Sequence, residues 1–178
     1  MKHLHFETID STNSEAKRQA REGTIGPLLI TATEQTQGRG QKDRVWISEK
    51  GGLYLSLLTP ATRFEFKQIP SYNQKIGAYI SDFLAHETGE TVNIEWPNDL
   101  ILDDKKVGGI LIESISSATQ KGPSCVIMGI GLNINQASFP IEIKQYAISI
   151  HQKTGEYYEL SPLVSKLVKE LNNVLSWY

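Results

Sequence analysis

The sequence predicts an α+β domain, built on a mixed, mostly antiparallel sheet with helices on one face. Three observations support this fold class. The chain of 178 residues, 39% of them hydrophobic, is one ordinary domain with enough length for a buried core. Many short β-rich runs are separated by turn signals, which is typical of antiparallel strands. Only a few stretches repeat their apolar residues at helical spacing.

The first elements are a strand, a helix and a second strand. Residues 2 to 9 alternate between apolar and polar side chains as a strand does. Thr12 and Glu15 are spaced as a capping box, which predicts a helix that starts there and ends at Gly23. Leu28 to Glu34 is rich in β-forming residues and predicts the second strand.

The middle of the chain predicts two further strands with a helix between them. Gly52 to Leu58 (GLYLSLL) is the first of these strands. Apolar residues recur at helical spacing from Tyr72 to Phe83, and Gly89 supplies a stop. Val92 to Trp96 predicts a short strand that ends at Pro97-Asn98-Asp99, a turn signature.

A hairpin and a buried strand follow. Leu100 to Leu102 and Lys106 to Ser116 are expected to pair around a turn at Asp103-Asp104. Ser124 to Leu132 is almost entirely apolar and predicts a buried strand.

The last third of the chain is irregular in its pattern until its end. Residues 138 to 160 show no periodicity. Ser161-Pro162 predicts the start of a final helix that runs to the end of the chain. The apolar stripe of this helix consists of Leu163, Leu167, Leu171 and Leu175.

Composition excludes several classes of protein. The net charge of −2 argues against a dedicated DNA-binding protein, which carries a broad basic surface. No apolar run approaches the ~18 residues of a membrane helix, and the first ten residues lack the apolar region of a signal peptide. The lone Cys125 lies in an apolar run, and a buried structural thiol is favoured. A cytoplasmic protein without a membrane or DNA partner is therefore expected.

The Gly38–Trp46 loop is the first candidate for function. Gly38 and Gly40 allow backbone N–H groups to approach an oxygen closely, while Arg39, Lys42 and Arg44 add positive charge. No Gly-Lys-Ser/Thr follows, so this is not a Walker loop. The pattern indicates an anion site, and a mobile solvated loop is the alternative.

Two later stretches point to the same chemistry. Lys106 is separated by one residue from the glycine pair Gly108-Gly109 in a predicted strand, and paired glycines in a strand indicate the close approach of a ligand or another backbone. The stretch GIGLNIN ends a buried strand with small residues and Asn133, which leaves room for a flat ligand. Trp96 is interpreted as a core anchor.

Taken in order, DSTN, QxxGRG…W, WPND…KxxGGIL.E and GIGLNIN resemble the catalytic domain of biotin protein ligases, over nearly all of the chain. The resemblance implies a fold similar to class II aminoacyl-tRNA synthetases and to the biotin and lipoate ligases. It also implies two half-reactions: biotin and ATP form biotinyl-5′-AMP and pyrophosphate, and biotin then passes to a lysine of a biotin carboxyl carrier domain. ATP and biotin are the implied substrates, with Mg²⁺ accompanying ATP.

The resemblance also implies roles for individual residues. Lys106 and Arg39 are the expected catalytic residues, which contact the biotin carboxylate and the α-phosphate. Asp99 is a candidate to place magnesium or the incoming lysine, with a turn-forming aspartate as the alternative. The expected biotin-binding residues are Ser11, Thr12, Gln35, Gly38, Arg39, Lys106, Gly108, Gly109 and Gly131, and the expected ATP or adenylate residues are Lys42, Arg44, Trp46, Asn98, Asp99 and Asn133.

The chain departs from the family pattern at three positions. Gln41 replaces a usual arginine, Asp43 a usual glycine, and Glu95 a usual lysine. Residues 1–178 are expected to form the catalytic domain, without an amino-terminal helix-turn-helix domain and without the small carboxy-terminal β-barrel domain. A homodimer through sheet edges is a further expectation. The alternative functions are a lipoyl or octanoyl transferase of the same fold and a non-catalytic biotin or biotinyl-AMP binding protein.

Overall fold

One seven-stranded sheet organises the chain in the computed structural model, which describes residues 1–63, 69–116 and 123–175. Its spatial order is β1-β2-β3-β7-β6-β5-β4. β1 and β2 are parallel, and each of the other neighbouring pairs is antiparallel. The strands are β1 (Lys2–Ile9), β2 (Leu28–Gln35), β3 (Gly52–Pro60), β4 (Asn93–Glu95), β5 (Asp99–Leu102), β6 (Lys105–Ser116) and β7 (Pro123–Asn133).

The helices are α1 (Thr12–Arg21), α2 (Ile69–Thr88), α3 (Ile150–Thr154) and α4 (Leu160–Leu175). The expected mixed, mostly antiparallel sheet is confirmed, and each predicted strand forms within two residues of its expected bounds. The arrangement of the helices is only partly as expected. Side chains of α2 and α4 pack with one face of the sheet, through residues such as Ile76 and Leu167. α1 packs on the opposite face, where Ala16 joins Leu28, Ile30 and Ile127.

Alternation along the strands explains why both faces are covered. Leu28 and Ile30 of β2 contribute to the core cluster of α1, whereas Leu29 between them belongs to the larger cluster of α2 and α4. The central strands are apolar on both faces, so each face needs a cover. A sequence pattern that marks a strand as buried does not say which helix lies on which face.

Three features of the helices differ from the sequence predictions. The side chain of Ser11, not that of Thr12, caps α1 by accepting a hydrogen bond from the backbone of Ser14. α4 begins at Leu160, so Ser161 lies inside the helix. α3 lies within the stretch expected to be irregular, and its start carries a capping box formed by Ser149 and Gln152.

The turn between β5 and β6 is as predicted. Asp103 and Asp104 have φ angles of 48° and 59°, the left-handed pair that a tight hairpin turn requires.

The interpretation of Trp96 as a core anchor is wrong, because 68% of this residue is exposed. β4 is an edge strand of three residues, so a side chain just beyond its end has little structure to pack against. Cys125 is buried as expected. None of the helices in the described ranges is long and apolar enough to cross a membrane.

Candidate active site

A pocket, called the central pocket below, lies over the middle of the sheet on the side that carries α1. Four parts of the chain meet there because β6 and β7 are neighbours in the sheet and β3 lies next to β7. The start of α1, the Gly38–Trp46 loop, Lys106 and the glycines of β6 and β7 all contribute to its lining.

Glycines form the floor of the central pocket. Gly109 and Gly131 are paired across β6 and β7. A Cβ atom on Gly131 would lie 2.6 Å from Nε1 of Trp46, and one on Gly109 would lie 3.5 Å from Cζ3 of the same indole. The bare backbone therefore lets a flat group lie directly on the sheet. In this structure that flat group is the indole of Trp46.

Gly108 does not belong to this floor. A Cβ atom added to it would lie 2.6 Å from Cδ2 of Leu132 and 3.0 Å from Cδ1 of Leu100, both of which are core residues. Successive residues of a strand face opposite sides of the sheet, so one member of a glycine pair must face the core. The prediction that Gly108 lines a ligand slot is wrong for this reason.

The start of α1 holds a chain of neutral polar groups. The side-chain oxygen Oε1 of Gln35 accepts two hydrogen bonds from Thr12, one from the backbone N of Thr12 at 2.8 Å and one from Thr12 Oγ1 at 3.1 Å. The side-chain nitrogen Nε2 of Gln35 donates to Ser48 Oγ at 2.8 Å. Ser56 Oγ lies 2.8 Å from Thr12 Oγ1 and donates to Asn13 Oδ1 at 2.5 Å. Fixed donors and acceptors therefore line this end of the central pocket.

The loop folds back on itself as a small hairpin. Arg39 and Val45 form a bridge, and Gly40 N donates to Arg44 O at 2.7 Å. Gly38 closes the base: a Cβ atom there would lie 2.2 Å from the carbonyl oxygen of Trp46. Gly38 thus shapes the loop rather than the pocket wall, and Lys42 stands exposed at the tip with a φ of 54°.

Lys106 is held between an acid and an aromatic ring. Its Nζ lies 2.8 Å from Oδ1 of Asp99 and 5.3 Å from the centre of the Trp46 ring. Within the described part of the chain the buried Oδ1 of Asp99 has no hydrogen-bond partner, so its contact with Lys106 is an ion pair without hydrogen-bond geometry. The side chain of Lys106 is 30% exposed, so its charge is only partly screened by water.

A second pocket, called the side pocket below, lies beside the first. Trp46 and Lys106 line both pockets, and the remaining walls of the side pocket include Phe139, Ile143 and Tyr146. Asn133 lies at this pocket and donates to the carbonyl oxygens of Lys106 at 3.3 Å and Ile148 at 3.2 Å. The side pocket therefore combines apolar walls with a fixed cation at the boundary to the central pocket.

The structure brings most of the predicted site residues together. Asn98 is buried at the central pocket, and its Nδ2 donates to Ile110 O at 3.1 Å. Asp99 reaches the site through Lys106, and Asn133 through the side pocket. The predicted residues that line the central pocket are Ser11, Thr12, Gln35, Arg39, Arg44, Trp46, Asn98, Lys106, Gly109 and Gly131, whereas Gly38, Lys42, Gly108, Asp99 and Asn133 do not.

Asn13, Ser56 and Glu113 are among the polar residues at the site that were not predicted. Asn13 fills the space over Gly129, where a Cβ atom would lie 2.2 Å from its Oδ1. Ser56 is fully buried, and the signal for it is a single hydroxyl inside the apolar run GLYLSLL. Glu113 accepts hydrogen bonds from Asn13 at 3.0 Å and from Lys17 at 2.7 Å. Asn13 and Glu113 both stand in motifs that the sequence analysis quoted without giving these residues a role.

Burial and hydrogen bonding act on Glu113 in opposite directions. Burial alone would raise its pKa, but the hydrogen bonds from Lys17 and Asn13 and the charges of Lys17 and Arg39 bring the pKa below its usual value. Glu113 is therefore a carboxylate that stays ionised beside the pocket.

The chain matches the sequence model of the biotin/lipoate A/B protein ligase family over residues 5–133. It is 32% identical over 168 residues to the bifunctional ligase/repressor BirA of Bacillus spizizenii, and the aligned region covers 93% of this chain and 51% of that protein. It is 34% identical over 132 residues to the biotin–[acetyl-CoA-carboxylase] ligase of Paracoccus denitrificans, which covers 74% of this chain and 53% of that protein. The chain thus spans about half the length of these relatives.

A solved structure shares the fold of this chain. The biotin protein ligase of Aquifex aeolicus in complex with biotin and ATP superimposes with a TM-score of 0.85 at 30% sequence identity. The match covers 98% of this chain and 70% of that chain.

Proposed function

This chain belongs to the biotin/lipoate A/B protein ligase family, and from that premise we propose that it activates biotin with ATP and transfers biotin to a carrier protein. In the first step a carboxylate oxygen of biotin attacks the α-phosphorus of ATP, and the bond to pyrophosphate breaks. In the second step a lysine Nζ of a biotin carboxyl carrier domain attacks the carbonyl carbon of biotinyl-5′-AMP. An amide forms, AMP leaves, and the lysine loses a proton.

One observation carries this proposal: the central pocket joins a neutral hydrogen-bonding end to a pair of cations over a floor of bare backbone. The neutral end is the start of α1 with Gln35, and the cations are Arg39 and Lys106. Biotin has the complementary pattern, with a neutral ureido ring, an apolar middle and a terminal carboxylate. A ligand without a polar head would leave the spare donors of Ser11 and Gln35 without a partner, which is costly.

The neutral end has the groups that a ureido ring needs. Among the residues that the structure describes, the hydroxyl of Ser11 accepts the capping bond from Ser14 and donates to no other group, so its own proton is available to a carbonyl oxygen. Gln35 uses its carbonyl oxygen on Thr12 and one amide hydrogen on Ser48, which leaves one hydrogen to donate. Thr12 Oγ1 keeps acceptor capacity for a ring N–H.

The cationic end addresses the main electrostatic obstacle. Two like unit charges ~4 Å apart at an effective dielectric of ~20 repel by about 4 kcal/mol, and biotin carboxylate and ATP are both anions. Arg39 and Lys106, which come from different elements, would lower this repulsion and stabilise the charge that develops on the α-phosphate. Arg44 also lines the central pocket and is suited to the departing pyrophosphate, as is the exposed Lys42 at the loop tip.

The side pocket is suited to the adenine of ATP. Trp46, Phe139 and Tyr146 give it aromatic and apolar walls, and Lys106 connects it to the central pocket. A ligand that reaches Gly131 must displace the Trp46 indole from it, because the two cannot share that floor. We therefore propose that Trp46 leaves the glycines when biotin enters and packs against adenine.

Magnesium is proposed to arrive with ATP. Within the part of the chain that the structure describes, no group of three or more His, Cys, Asp or Glu side chains could hold a metal ion. Asp99 is a single carboxylate and is already paired with Lys106. This arrangement fits a magnesium ion held mainly by the phosphates and water, with Asp99 as a nearby carboxylate. Bound in this way, magnesium would neutralise phosphate charge.

The proposed acceptor is the biotin carboxyl carrier domain of a carboxylase, a reaction that fits a cytoplasmic location. A homodimer through the sheet edges would use β1 or β4, the end strands of the sheet. The acceptor and the location are proposed from the family, and the homodimer is proposed from the fold. The absence of a DNA partner is supported by the net charge of −2.

Pyrophosphate release with biotin, compared with release with lipoate, tests the proposal. The expected result is ATP-dependent release with biotin, release with lipoate lower by at least about tenfold, and labelling of a carrier domain. Lipoate as the better substrate would indicate the lipoyl or octanoyl alternative. Tight binding of biotin without pyrophosphate release would indicate a binding protein.

A further inference from the structure

Glu113 is the acid that faces Arg39 from the sheet. It lies on β6, on the same face as Gly109 and Leu111, because residues two apart share a face of a strand. Its Oε1 lies 2.7 Å from Lys17 Nζ and 3.6 Å from Arg39 Nη2, and its Oε2 lies 3.0 Å from Asn13 Nδ2. One carboxylate therefore contacts α1 through two side chains and the loop through a third.

The contacts of Glu113 differ in strength. Lys17 and Asn13 make hydrogen bonds to it and come from α1, which packs on the sheet. Asn13 is itself fixed by Ser56 and by the space over Gly129. Arg39 makes a longer ion pair without a hydrogen bond. Glu113 is thus fixed by the body of the protein, and Arg39 is the partner that can move.

Arg39 has little else to hold its side chain. Over the described residues its one ion pair is with Glu113, and its side chain is 37% exposed. The loop backbone is closed at Gly38 and bridged at Val45, which fixes the position of the Arg39 Cα atom but not the direction of its long side chain. An arginine side chain loses rotamer entropy when it is ordered. A nearby fixed anion reduces the cost that a ligand must meet.

We propose that Glu113 is a positioning residue, which holds the Arg39 guanidinium at the central pocket so that a ligand carboxylate meets it already in place. The inference rests on the proposed function for the identity of that ligand. Glu113 needs no contact with biotin for this role. Arg39 can serve both anions, since its guanidinium has five N–H donors.

A double-mutant cycle in the full chain tests the coupling between the two residues. Glu113→Gln keeps the shape of the side chain and removes its charge. We expect it to weaken biotin binding about three- to fivefold, the range of a partly exposed ion pair. The biotin KM should rise by the same factor, while kcat should change by less than about twofold. In an Arg39→Ala background the same substitution should change the biotin Kd by less than about 1.5-fold.

Glu87→Gln is the matched control. Glu87 has similar exposure, 13% against 18% for Glu113, and a cation at 2.6 Å against 2.7 Å, but its partner is Lys166 of α4, outside the central pocket. This control should leave the biotin Kd unchanged. Equal weakening by Glu113→Gln with and without Arg39 would mean that Glu113 acts only on the fold, and an unchanged Kd in both backgrounds would equally overturn the proposal.

Limited trypsin digestion of the ligand-free protein gives a readout independent of activity. Cleavage after Arg39 should be about three- to fivefold faster in Glu113→Gln than in the wild type or Glu87→Gln, because the ion pair no longer shields that residue. Equal rates in the three proteins would overturn the proposal. If the wild type releases no pyrophosphate with biotin, the proposed function fails, and the digestion still decides the role of Glu113.

Discussion

Lys106 shows at the scale of one residue how the chain places a charge. Its backbone is fixed on two sides, since its N–H donates to Tyr146 O at 2.7 Å and its carbonyl accepts from Ile148 N at 3.1 Å. Its Nζ lies 2.8 Å from Asp99 Oδ1, as an ion pair, and 5.3 Å from the centre of the Trp46 ring. A cation held in this way needs little rearrangement when negative charge develops beside it, which is the condition for strong electrostatic catalysis.

We predict that Lys106→Ala lowers the rate of biotinyl-AMP synthesis by about 10²–10³, the usual cost of one preorganised donor, while the protein stays folded. Lys153→Ala is the matched control, because Lys153 forms a similar ion pair with Asp103 at 2.6 Å but lies outside both pockets. The measurement is pyrophosphate release per folded protein, with folding checked by thermal melting. Near-normal synthesis in Lys106→Ala would contradict the assignment.

The sequence predicted which residues lie at the site where the type of side chain and its neighbours pointed to one kind of contact. Lys106 beside a glycine pair and Trp46 at the end of a cationic loop belong to this group. Gly108 and Trp96 were misinterpreted because the direction of a side chain depends on strand phase and on the neighbouring strand. Glu113 could be read from the quoted motif, but its role depends on α1 lying over β6, which is a long-range contact.

At the scale of elements, the Gly38–Trp46 loop has a fixed base and an exposed tip. Gln35 N donates to Ser48 O at 3.0 Å, and Trp46 N donates to Gly38 O at 2.9 Å, so both ends of the loop are tied. Between them, Val45 is 77% exposed although it is apolar. An apolar side chain exposed at the mouth of a pocket is expected to be covered when a ligand and the loop meet.

We predict that biotin and ATP together protect the loop from trypsin. Without ligand, cleavage after Lys42 or Arg44 should be fast, because both side chains are exposed. With both ligands the loop closes on the adenylate, and we expect cleavage to slow by at least about tenfold, since a segment must open before it is cut. Cleavage after Arg21, at the exposed end of α1, is the internal control. Unchanged cleavage in the loop would mean that it stays a solvated loop.

Elements were predictable in kind, and less so in their ends. Hydrophobic periodicity correctly predicted α2, and the two aspartates correctly marked the hairpin turn. α1 has two neighbouring hydroxyls at its start, and geometry rather than sequence selected Ser11 as the cap. α3 was missed because it has only five residues, too few for periodicity to be visible.

At the scale of the whole molecule, the sheet order creates the site. β3 pairs with β7, and β7 with β6, so residues from the start, middle and later part of the chain meet above three neighbouring strands. The order of the motifs along the chain, through its resemblance to a known family, predicted which segments form the site. The pairing of β3 with β7 leaves no local signal in the sequence, because the two strands are far apart along the chain. The protein also concentrates Arg39, Arg44 and Lys106 at one pocket while its net charge is −2.

Glu95 is the acid that opposes this local concentration of positive charge. It lies on the edge strand β4 and is the register partner of Asp99, so the two carboxylates are on the same face of the sheet. Cβ atoms of such partners are about 4.5–5.5 Å apart, and like charges in this arrangement are unfavourable. Since Asp99 contacts Lys106, Glu95 adds negative charge next to the proposed phosphate site.

We predict that Glu95→Lys lowers the KM for ATP. The charge change is large, but Glu95 is exposed, and exposed pairs are worth about 0.2–1 kcal/mol after screening. We therefore expect a KM about two- to fivefold lower at low salt, with a smaller effect near ~0.15 M salt. Glu7→Lys on β1, at the opposite edge of the sheet, changes the net charge equally, from −2 to 0, and should leave the KM unchanged. An equal fall in both variants would assign the effect to net charge alone. An unchanged KM in Glu95→Lys at both salt concentrations would mean that this carboxylate points away from the nucleotide.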